Sequence, residues 1–267
     1  MSKFSCLIII FSLIATPSNG LAFYGENFCK VKGFYCIKLT KMGDGKTLWP
    51  DPREMEIIEK INRVHKWYSP GTIILVPDDM NGKIYMDYSP FPNTLRALQD
   101  TINEERLTKN KKTTENTWNF IKGIHHEKVV IWNPELLAWA AYDEKGKLVN
   151  WGPGLGGADS CEGKVGSCRT PSGIFEALQQ KGVGHRSDLY PTGCKGAECS
   201  WMPYAVKVRE DGLSMHGSKW FIGRHASHGC VRLFTADAKW LNKKFFDYKT
   251  KDKKGTTIIF LPYPKNK

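Results

Sequence analysis

The sequence predicts a mainly β protein: a mixed β-sandwich or barrel with one main helix, preceded by a small α/β module. Two observations predict it. From residue 128 onward, short strand-like segments follow one another between turn residues, and near the N-terminus a capped amphipathic helix lies between two strand-like segments. A length of 267 residues with 41% hydrophobic content suffices for one sizeable core and a smaller unit. The mean hydropathy of -0.41 excludes a polytopic membrane protein.

Residues 1–22 have the pattern of a cleaved signal peptide. Lys3 precedes an apolar run over 7–15, and small residues suited to cleavage follow at Gly20 and Ala22. The run is shorter than the roughly 20 residues that span a bilayer. We therefore expect an exported protein with no transmembrane anchor after cleavage. The net charge of +12 then indicates an anionic partner outside the cytoplasm, and no nucleic acid.

The cysteines indicate disulfides in an oxidising compartment. Loss of Cys6 with the signal leaves seven, of which six form neighbouring couples and Cys230 stands alone. Six cysteines allow 15 connectivities, of which nearest-neighbour pairing is the simplest. Zinc is the rival interpretation, although the spacings do not match common zinc ligands. The nearest-neighbour couples are Cys29/Cys36, Cys161/Cys168 and Cys194/Cys199.

Residues 23–80 form the predicted α/β module. Tyr35, Ile37 and Leu39 alternate as in a strand, and the segment 72–77 is a second, buried strand candidate. Between them, Asp51-Pro52-Arg53-Glu54 has the N-cap, first-turn proline and acidic third position of a helix start. The less periodic residues 81–126, with a polar stretch at 103–117, are predicted to be a linker.

Residues 127–264 are predicted to be the β-rich domain. Thr235 is expected to cap its one helix, which runs through Phe245. The strand candidates are 129–132, 136–142, 147–151, 173–178, 205–208, 213–216 and 256–261.

The unpaired cysteine lies in a cluster of reactive and conformationally special residues. Sulfur attacks as the thiolate, and a neighbouring imidazole that takes up the proton activates it. Gly229, just before Cys230, has no side chain, so the backbone N–H groups of both residues can point at a developing oxyanion. The guanidinium of Arg232 can bind a carboxylate through two parallel hydrogen bonds. His225, close by, is expected at the surface. The cluster comprises His216, Gly217, Ser227, His228, Gly229, Cys230 and Arg232.

This cluster closely resembles the signature of the L,D-transpeptidases, enzymes that remodel bacterial peptidoglycan: His-Gly, a gap, then Ser/Thr-His-Gly-Cys-hydrophobic-Arg. The segments 133–136 and 169–175 extend the resemblance over about 127–264, with enlarged loops between Asp159 and Ser200. It implies that Cys230 attacks the L,D-peptide bond between meso-diaminopimelate and the terminal D-Ala of a donor tetrapeptide. A thioester forms, D-Ala leaves, and an acceptor amine takes the acyl group.

The same resemblance implies the remaining roles. His216 exchanges the protons, and the Gly217 carbonyl orients it. His228 and Gly229 shape the oxyanion pocket, while Arg232 and Ser227 serve substrate binding. No metal and no organic cofactor is required.

The residues 61–77 resemble the second half of a LysM glycan-binding module, although Pro50 and Pro52 fall where that family's first helix runs. A structural adaptor is the alternative for this module. The implied partners are peptidoglycan stem peptides, with glycan strands as a further candidate. Three alternatives to cross-linking remain open: an L,D-carboxypeptidase, in which water resolves the thioester; transfer to an outer-membrane lipoprotein; and a wall-binding protein without turnover. Cysteine-rich loops favour the periplasm.

Overall fold

The computed structural model describes residues 29–40, 43–65, 67–101, 121, 123, 124, 126–161 and 166–264. The predicted signal peptide with Lys3 and Cys6 lies outside these residues. So does the polar stretch 103–117 of the predicted linker.

The N-terminal unit is built on one antiparallel strand pair. Strand β1 (Phe34–Lys38) lies beside β4 (Ile73–Pro77), with Tyr35 opposite Val76. The connection contains β2 (Gly43–Asp44), α1 (Gly45–Leu48), α2 (Pro52–Asn62) and β3 (Trp67–Tyr68). Its small core comprises Leu39, Trp49, Ile58, Val64, Ile74 and Val76.

Helix α2 begins where the sequence predicts. The Asp51 carboxylate accepts a hydrogen bond from the backbone N–H of Arg53 at 2.8 Å, and Pro52 occupies the first turn, where no N–H is needed. The helix ends at Arg63, whose φ of 54° is left-handed and turns the chain sharply. This turn directs the residues after α2 towards the large sheet.

The large sheet has nine strands in the order β8-β13-β5-β6-β7-β12-β11-β10-β9. The mainly β prediction is confirmed, and β7 runs four residues beyond its predicted end. The strands are β5 (Val129–Asn133), β6 (Ala138–Tyr142), β7 (Leu148–Leu155), β8 (Gly173–Glu176), β9 (Gln179–Gln180), β10 (Val206–Lys207), β11 (Ser214–Ser218), β12 (Val231–Phe234) and β13 (Thr257–Phe260).

The sheet curls because both of its ends belong to one run of chain, residues 173–180. The first half of this run, β8, pairs with β13, and the second half, β9, pairs with β10. Between the halves, the N–H of Ala177 donates to the Thr256 carbonyl at 3.0 Å and that of Leu178 to the Lys207 carbonyl at 2.9 Å. The result is a half-barrel.

The predicted main helix is present in two parts. Residues Thr235–Trp240 form α3, and Leu241–Phe245 continue it as one π-helical turn. Thr235 is the first helical residue and not the cap, which is Phe234. The two parts pack on one face of the sheet through Ala238, Leu241 and Phe245.

Residues of the predicted linker cover the opposite face of β5, β6 and β7. Residues 85–88 form a short 3-10 helix and 95–101 are helical. The Trp151 indole donates to the Tyr85 carbonyl at 3.0 Å. The buried apolar residues contributed by this segment are Phe91, Leu95, Leu98, Ile121 and Ile124.

Three disulfides join Cys29 to Cys36, Cys161 to Cys168 and Cys194 to Cys199. These are the nearest-neighbour couples. Among the described residues, no helix is both long and apolar enough to cross a bilayer.

Candidate active site

Parallel pairing of β11 with β12 brings the predicted histidine and cysteine to one face of the sheet. His216 lies opposite Arg232, and Cys230 comes directly before β12, two residues ahead of Arg232. Registered side chains on paired strands share a face, so His216 and Arg232 lie together, and Cys230, just before the strand, is near enough for the Arg232 charge to lower its pKa. Their neighbours Met215 and Val231 point the other way, into the main core.

Cys230 is a free, half-buried thiol above the start of β11. Its Sγ donates a long hydrogen bond to the Gly212 carbonyl at 3.9 Å. Burial raises the pKa of the thiol, while the backbone N–H of Ser214 and the charge of Arg232 lower it and the Asp211 carboxylate raises it further. The thiol is therefore protonated at neutral pH in the absence of a ligand.

His216 is buried, with 6% of its surface exposed, and Nδ1 lies 2.8 Å from its neighbour's carbonyl, that of Gly217. A carbonyl only accepts, so Nδ1 carries the proton and Nε2 is left as an acceptor. Burial lowers the pKa of His216 to about 4, and the Arg232 charge acts in the same direction. The ring is a neutral base at pH 7.

Gly217 is confined from both sides. A side chain there would begin 3.0 Å from the Pro203 ring and from the Thr235 backbone, and its N–H donates to the Pro203 carbonyl at 2.8 Å. The carbonyl that holds His216 is thereby fixed.

Ser227 organises the turn that leads into Cys230. Its hydroxyl donates to the Cys230 carbonyl at 2.5 Å and accepts from the Gly229 N–H at 3.1 Å. Only 2% of Ser227 is exposed, so its hydroxyl is used within the turn. Gly229 has a φ of 132°, a conformation that side-chain-bearing residues rarely adopt. Its N–H, expected from the sequence to face an oxyanion, is occupied by Ser227.

A buried network supports this turn from below. Thr170 Oγ1 donates to the Gly229 carbonyl at 2.7 Å and accepts from the Gly157 N–H at 2.9 Å. The Tyr263 hydroxyl donates to the Gly157 carbonyl at 2.9 Å. Gly157 must be a glycine, because a Cβ would overlap the carbonyl oxygen of Cys168.

His225 belongs to this supporting network. It does not lie at the surface, where the sequence predicts it. Its Nδ1 accepts from the Gly156 N–H at 2.9 Å, so the proton lies on Nε2, which donates to the Pro134 carbonyl at 3.1 Å. Burial lowers the pKa of His225 to about 4. Trp132 and Tyr263 contact the ring edge-on. A lone histidine with no periodic pattern gives no sign of such contacts in the sequence.

The cysteine-containing loop forms a wall beside the site. The Tyr190 ring stacks on His228, with centroids 4.2 Å apart and an interplanar angle of 28°. The same loop is braced by Arg186, which donates to the Cys199 carbonyl at 2.6 Å. His185, also in this loop, has a pKa lowered by burial, and its charge lowers the pKa of His216. Neither Tyr190 nor His185 belongs to a motif, and sequence reasoning missed both.

This geometry is that of a free thiol, a neutral buried imidazole and an arginine on one sheet face. Residues 127–253 match the L,D-transpeptidase catalytic domain, the YkuD family. The prediction of this domain is confirmed over those residues. Strand β13 lies beyond the matched part of the YkuD domain and completes its sheet beside β5. The LysM resemblance of the N-terminal unit stays a prediction, as do the domain boundaries.

Several solved L,D-transpeptidases are similar to this chain at low sequence identity. The chain is 19% identical to one from Xylanimonas cellulosilytica (residues 123–326), at a TM-score of 0.42, covering 78% of this chain and 79% of that one. It is 22% identical to one from Mycobacterium smegmatis, at a TM-score of 0.40, covering 51% of this chain and 59% of that one. It is 21% identical to one from Stackebrandtia nassauensis, also at a TM-score of 0.40, covering 53% of this chain and 58% of that one. The chain thus spans less than two thirds of the length of the Mycobacterium smegmatis and Stackebrandtia nassauensis proteins. No curated protein sequence matches the chain.

Proposed function

We propose that the protein is an exported peptidoglycan L,D-transpeptidase whose nucleophile is Cys230. One observation carries the proposal: within the YkuD domain, a cysteine outside every disulfide directly precedes the strand that pairs in parallel with the strand of a buried, neutral His216. The donor is a stem tetrapeptide, attacked at the bond between meso-diaminopimelate and D-Ala.

The raised thiol pKa and the lowered imidazole pKa favour an uncharged resting pair over a preformed thiolate–imidazolium pair. The proton therefore passes from Sγ to Nε2 of His216 as sulfur attacks, which is general-base catalysis. The Gly217 carbonyl keeps Nδ1 protonated throughout and holds the ring in this tautomer.

The two half-reactions balance on these groups. The Sγ–C bond forms and the C–N bond to D-Ala breaks, while the departing amine takes the proton from His216. The acceptor amine then attacks the thioester carbonyl and gives its proton to His216. The C–S bond breaks, and Cys230 recovers the proton.

The surrounding residues receive roles from their contacts. Arg232 is half-buried beside both reacting groups, so its charge favours the thiolate and is available to a substrate carboxylate. Ser227 acts as a positioning residue, because its hydroxyl is used inside the turn. The Cys230 N–H is the proposed oxyanion donor, and His228, stacked on Tyr190, forms the pocket wall.

An exposed aromatic surface supports contact with the glycan strand. Trp220, two residues past β11, is 77% exposed, and Lys219 Nζ lies 4.9 Å from the centroid of the Trp201 ring. Sugar rings stack on such aromatic faces. From the Ser214 end of β11, beside Cys230, to Ser218 is about 13 Å at 3.3 Å per residue. For a stem that runs along β11, an extended length of three residues covers about 10 Å and brings the attached sugar towards Trp220.

Export and the periplasm belong to the same proposal. Three disulfides support an oxidising compartment, and the signal pattern at 1–22 supports export. The N-terminal unit, with two antiparallel strands around a helix, is proposed to be a degenerate LysM-like module.

A product assay tests the proposal and identifies the acceptor. The mature protein is incubated with a disaccharide tetrapeptide, alone and with a lysine-bearing lipoprotein peptide, and products are identified by mass. A cross-linked dimer is the expected product. Loss of D-Ala without a dimer indicates the carboxypeptidase alternative, and a peptide adduct indicates lipoprotein attachment.

Cys230→Ala is the control for the chemistry. It should abolish both the thioester and every product while leaving the fold intact, because the side chain is small and only half-buried. Undiminished product formation in this variant would exclude Cys230 as the nucleophile. Absence of all products in the wild type favours a wall-binding protein without turnover.

A further inference from the structure

Lys60, near the end of α2, is a buried cation at the junction of three separate segments. Only 2% of it is exposed. Its Nζ donates to the Trp151 carbonyl in β7 at 2.9 Å and to Asp237 Oδ1 in α3 at 3.1 Å. It also lies 3.8 Å from the centroid of the Tyr85 ring. A buried ammonium is tolerated only when it is paired in this way, so α2 cannot leave the sheet without a large penalty.

Asp237 depends on Lys60 in return. Its second oxygen, Oδ2, has no hydrogen-bond partner among the described residues, and neither has the nearby Trp139 indole N–H. Both crowd Gly152, where a Cβ would overlap Oδ2 and lie 3.0 Å from the Trp139 nitrogen. Burial raises the pKa of Asp237, and Lys60 opposes that shift. The ion pair is thus a buried contact between α2 and α3.

Helix α3 follows the catalytic strand without a break. Cys230 directly precedes β12, and α3 begins at Thr235, the residue after β12 ends. Asp237 is therefore in the first turn of the helix that anchors the far end of β12. A contact that fixes Asp237 also fixes the strand on which Cys230 and Arg232 lie.

The residues after Lys60 contact both sides of the cysteine motif. We call residues 60–65 the clamp segment. Arg63 Nε donates to the Leu136 carbonyl at 3.2 Å, and Val64 forms a β-bridge with Ile222, ahead of the motif. The His65 ring lies 4.9 Å from that of Phe234, at the end of β12. The catalytic turn is therefore held from its upstream and its downstream side.

We propose that the clamp segment is part of the active-site scaffold, with Lys60 as a positioning residue for the transfer reaction. The inference rests on the proposed function for its kinetic readout. It differs from the expectation of an N-terminal module joined by a linker, because the module touches both flanks of the catalytic turn. Lys60 touches no reacting atom and acts through Asp237 and α3.

The test compares Lys60→Met with Lys38→Met, a lysine exposed on β1 of the same unit. Two readouts are taken below the unfolding temperature: kcat and KM for the tetrapeptide, and the pH dependence of Cys230 alkylation by iodoacetamide. For Lys60→Met we expect kcat to fall about tenfold or more with KM little changed. The alkylation midpoint should move down towards that of a free cysteine, because burial is what raises it. Lys38→Met should change neither.

The double variant Lys60→Met/Asp237→Asn separates positioning from charge balance. It removes the ion pair without leaving an unpaired buried charge. If the ion pair only stabilises the fold, kcat and the alkylation midpoint should return to wild-type values. If Lys60 positions the catalytic turn, kcat should stay low and the alkylation midpoint should stay shifted in the double variant. Return to wild-type values overturns the proposal, as does a folded Lys60→Met with an unchanged kcat and midpoint.

His65→Ala decides the matter if Lys60→Met does not fold. It removes the ring contact with Phe234 from a partly exposed position. A downward shift of the alkylation midpoint supports the proposal, and an unchanged midpoint overturns it. Alkylation needs no turnover, so a shift in an enzyme inactive on tetrapeptide would refute only the proposed function. If the wild-type protein turns over tetrapeptide but neither Lys60→Met nor His65→Ala shifts the alkylation midpoint, only the proposed role of the clamp segment is refuted.

Discussion

Lowering the pH from 7 to 5 should destabilise the protein through His216. Burial holds the pKa of this side chain at about 4, against about 6.5 for a histidine in an unfolded chain. Between these values the unfolded chain binds a proton that the folded protein does not. Stability is therefore lost as the pH falls from about 6.5 towards 4. At pH 5 the loss from this one group is about 2 kcal/mol.

The assay is urea unfolding of the oxidised protein at both pH values, followed by tryptophan fluorescence, for the wild type and for His216→Gln. Other titrating groups contribute to both proteins and cancel in the difference between them. We expect the wild type to lose about 2 kcal/mol more than the variant on acidification. Equal losses would mean that His216 takes up its proton at the same pH in the folded protein as in the unfolded chain, so that burial does not lower its pKa.

Three further predictions follow from local geometry. Gly157→Ala should lower the free energy of unfolding by about 3 kcal/mol, because the added methyl group overlaps the Cys168 carbonyl. The control Gly182→Ala has open space around it and should lower the free energy of unfolding by under about 1 kcal/mol in the same urea assay. Trp220→Ala should raise KM for a disaccharide tetrapeptide and leave KM for the free tetrapeptide unchanged; equal effects on both would exclude a glycan contact. Thiol titration of the unreduced mature chain should find one reactive group, Cys230, and three or more would contradict the disulfide pattern.

Local signals predicted much of the fold. Alternation at Tyr35 and Ile37 lies within β1, and the Asp51-Pro52 pair marks the start of α2 as observed. Such signals are readable because an N-cap or an alternating strand is satisfied by residues a few positions away. The cysteine motif likewise lies in one turn, whose internal hydrogen bonds join Ser227 to its near neighbours.

What escaped prediction depends on contacts between distant parts of the chain. Lys60 looks like any solvent-facing helical lysine until Asp237, far along the sequence, is brought beside it. Tyr190 lies in a loop whose path depends on the whole domain, so its stacking on His228 has no local sign.

The ionisation of the thiol escaped prediction for a related reason. The motif alone indicates an imidazole that lowers the pKa of Cys230. Burial raises that pKa, and burial is decided by how the 208–213 connection folds over the sulfur. A sequence identifies the reacting groups more readily than it gives their solvation.

The run 173–180 bears on whether copies of this chain can associate through the edges of their sheets. An open sheet offers two rims of unpaired N–H and C=O groups on which other chains can stack, a common origin of aggregation. Here one bent segment provides both edge strands, β8 and β9, and both are short. Edge strands of four and two residues leave little backbone on which another copy of the chain could add a strand.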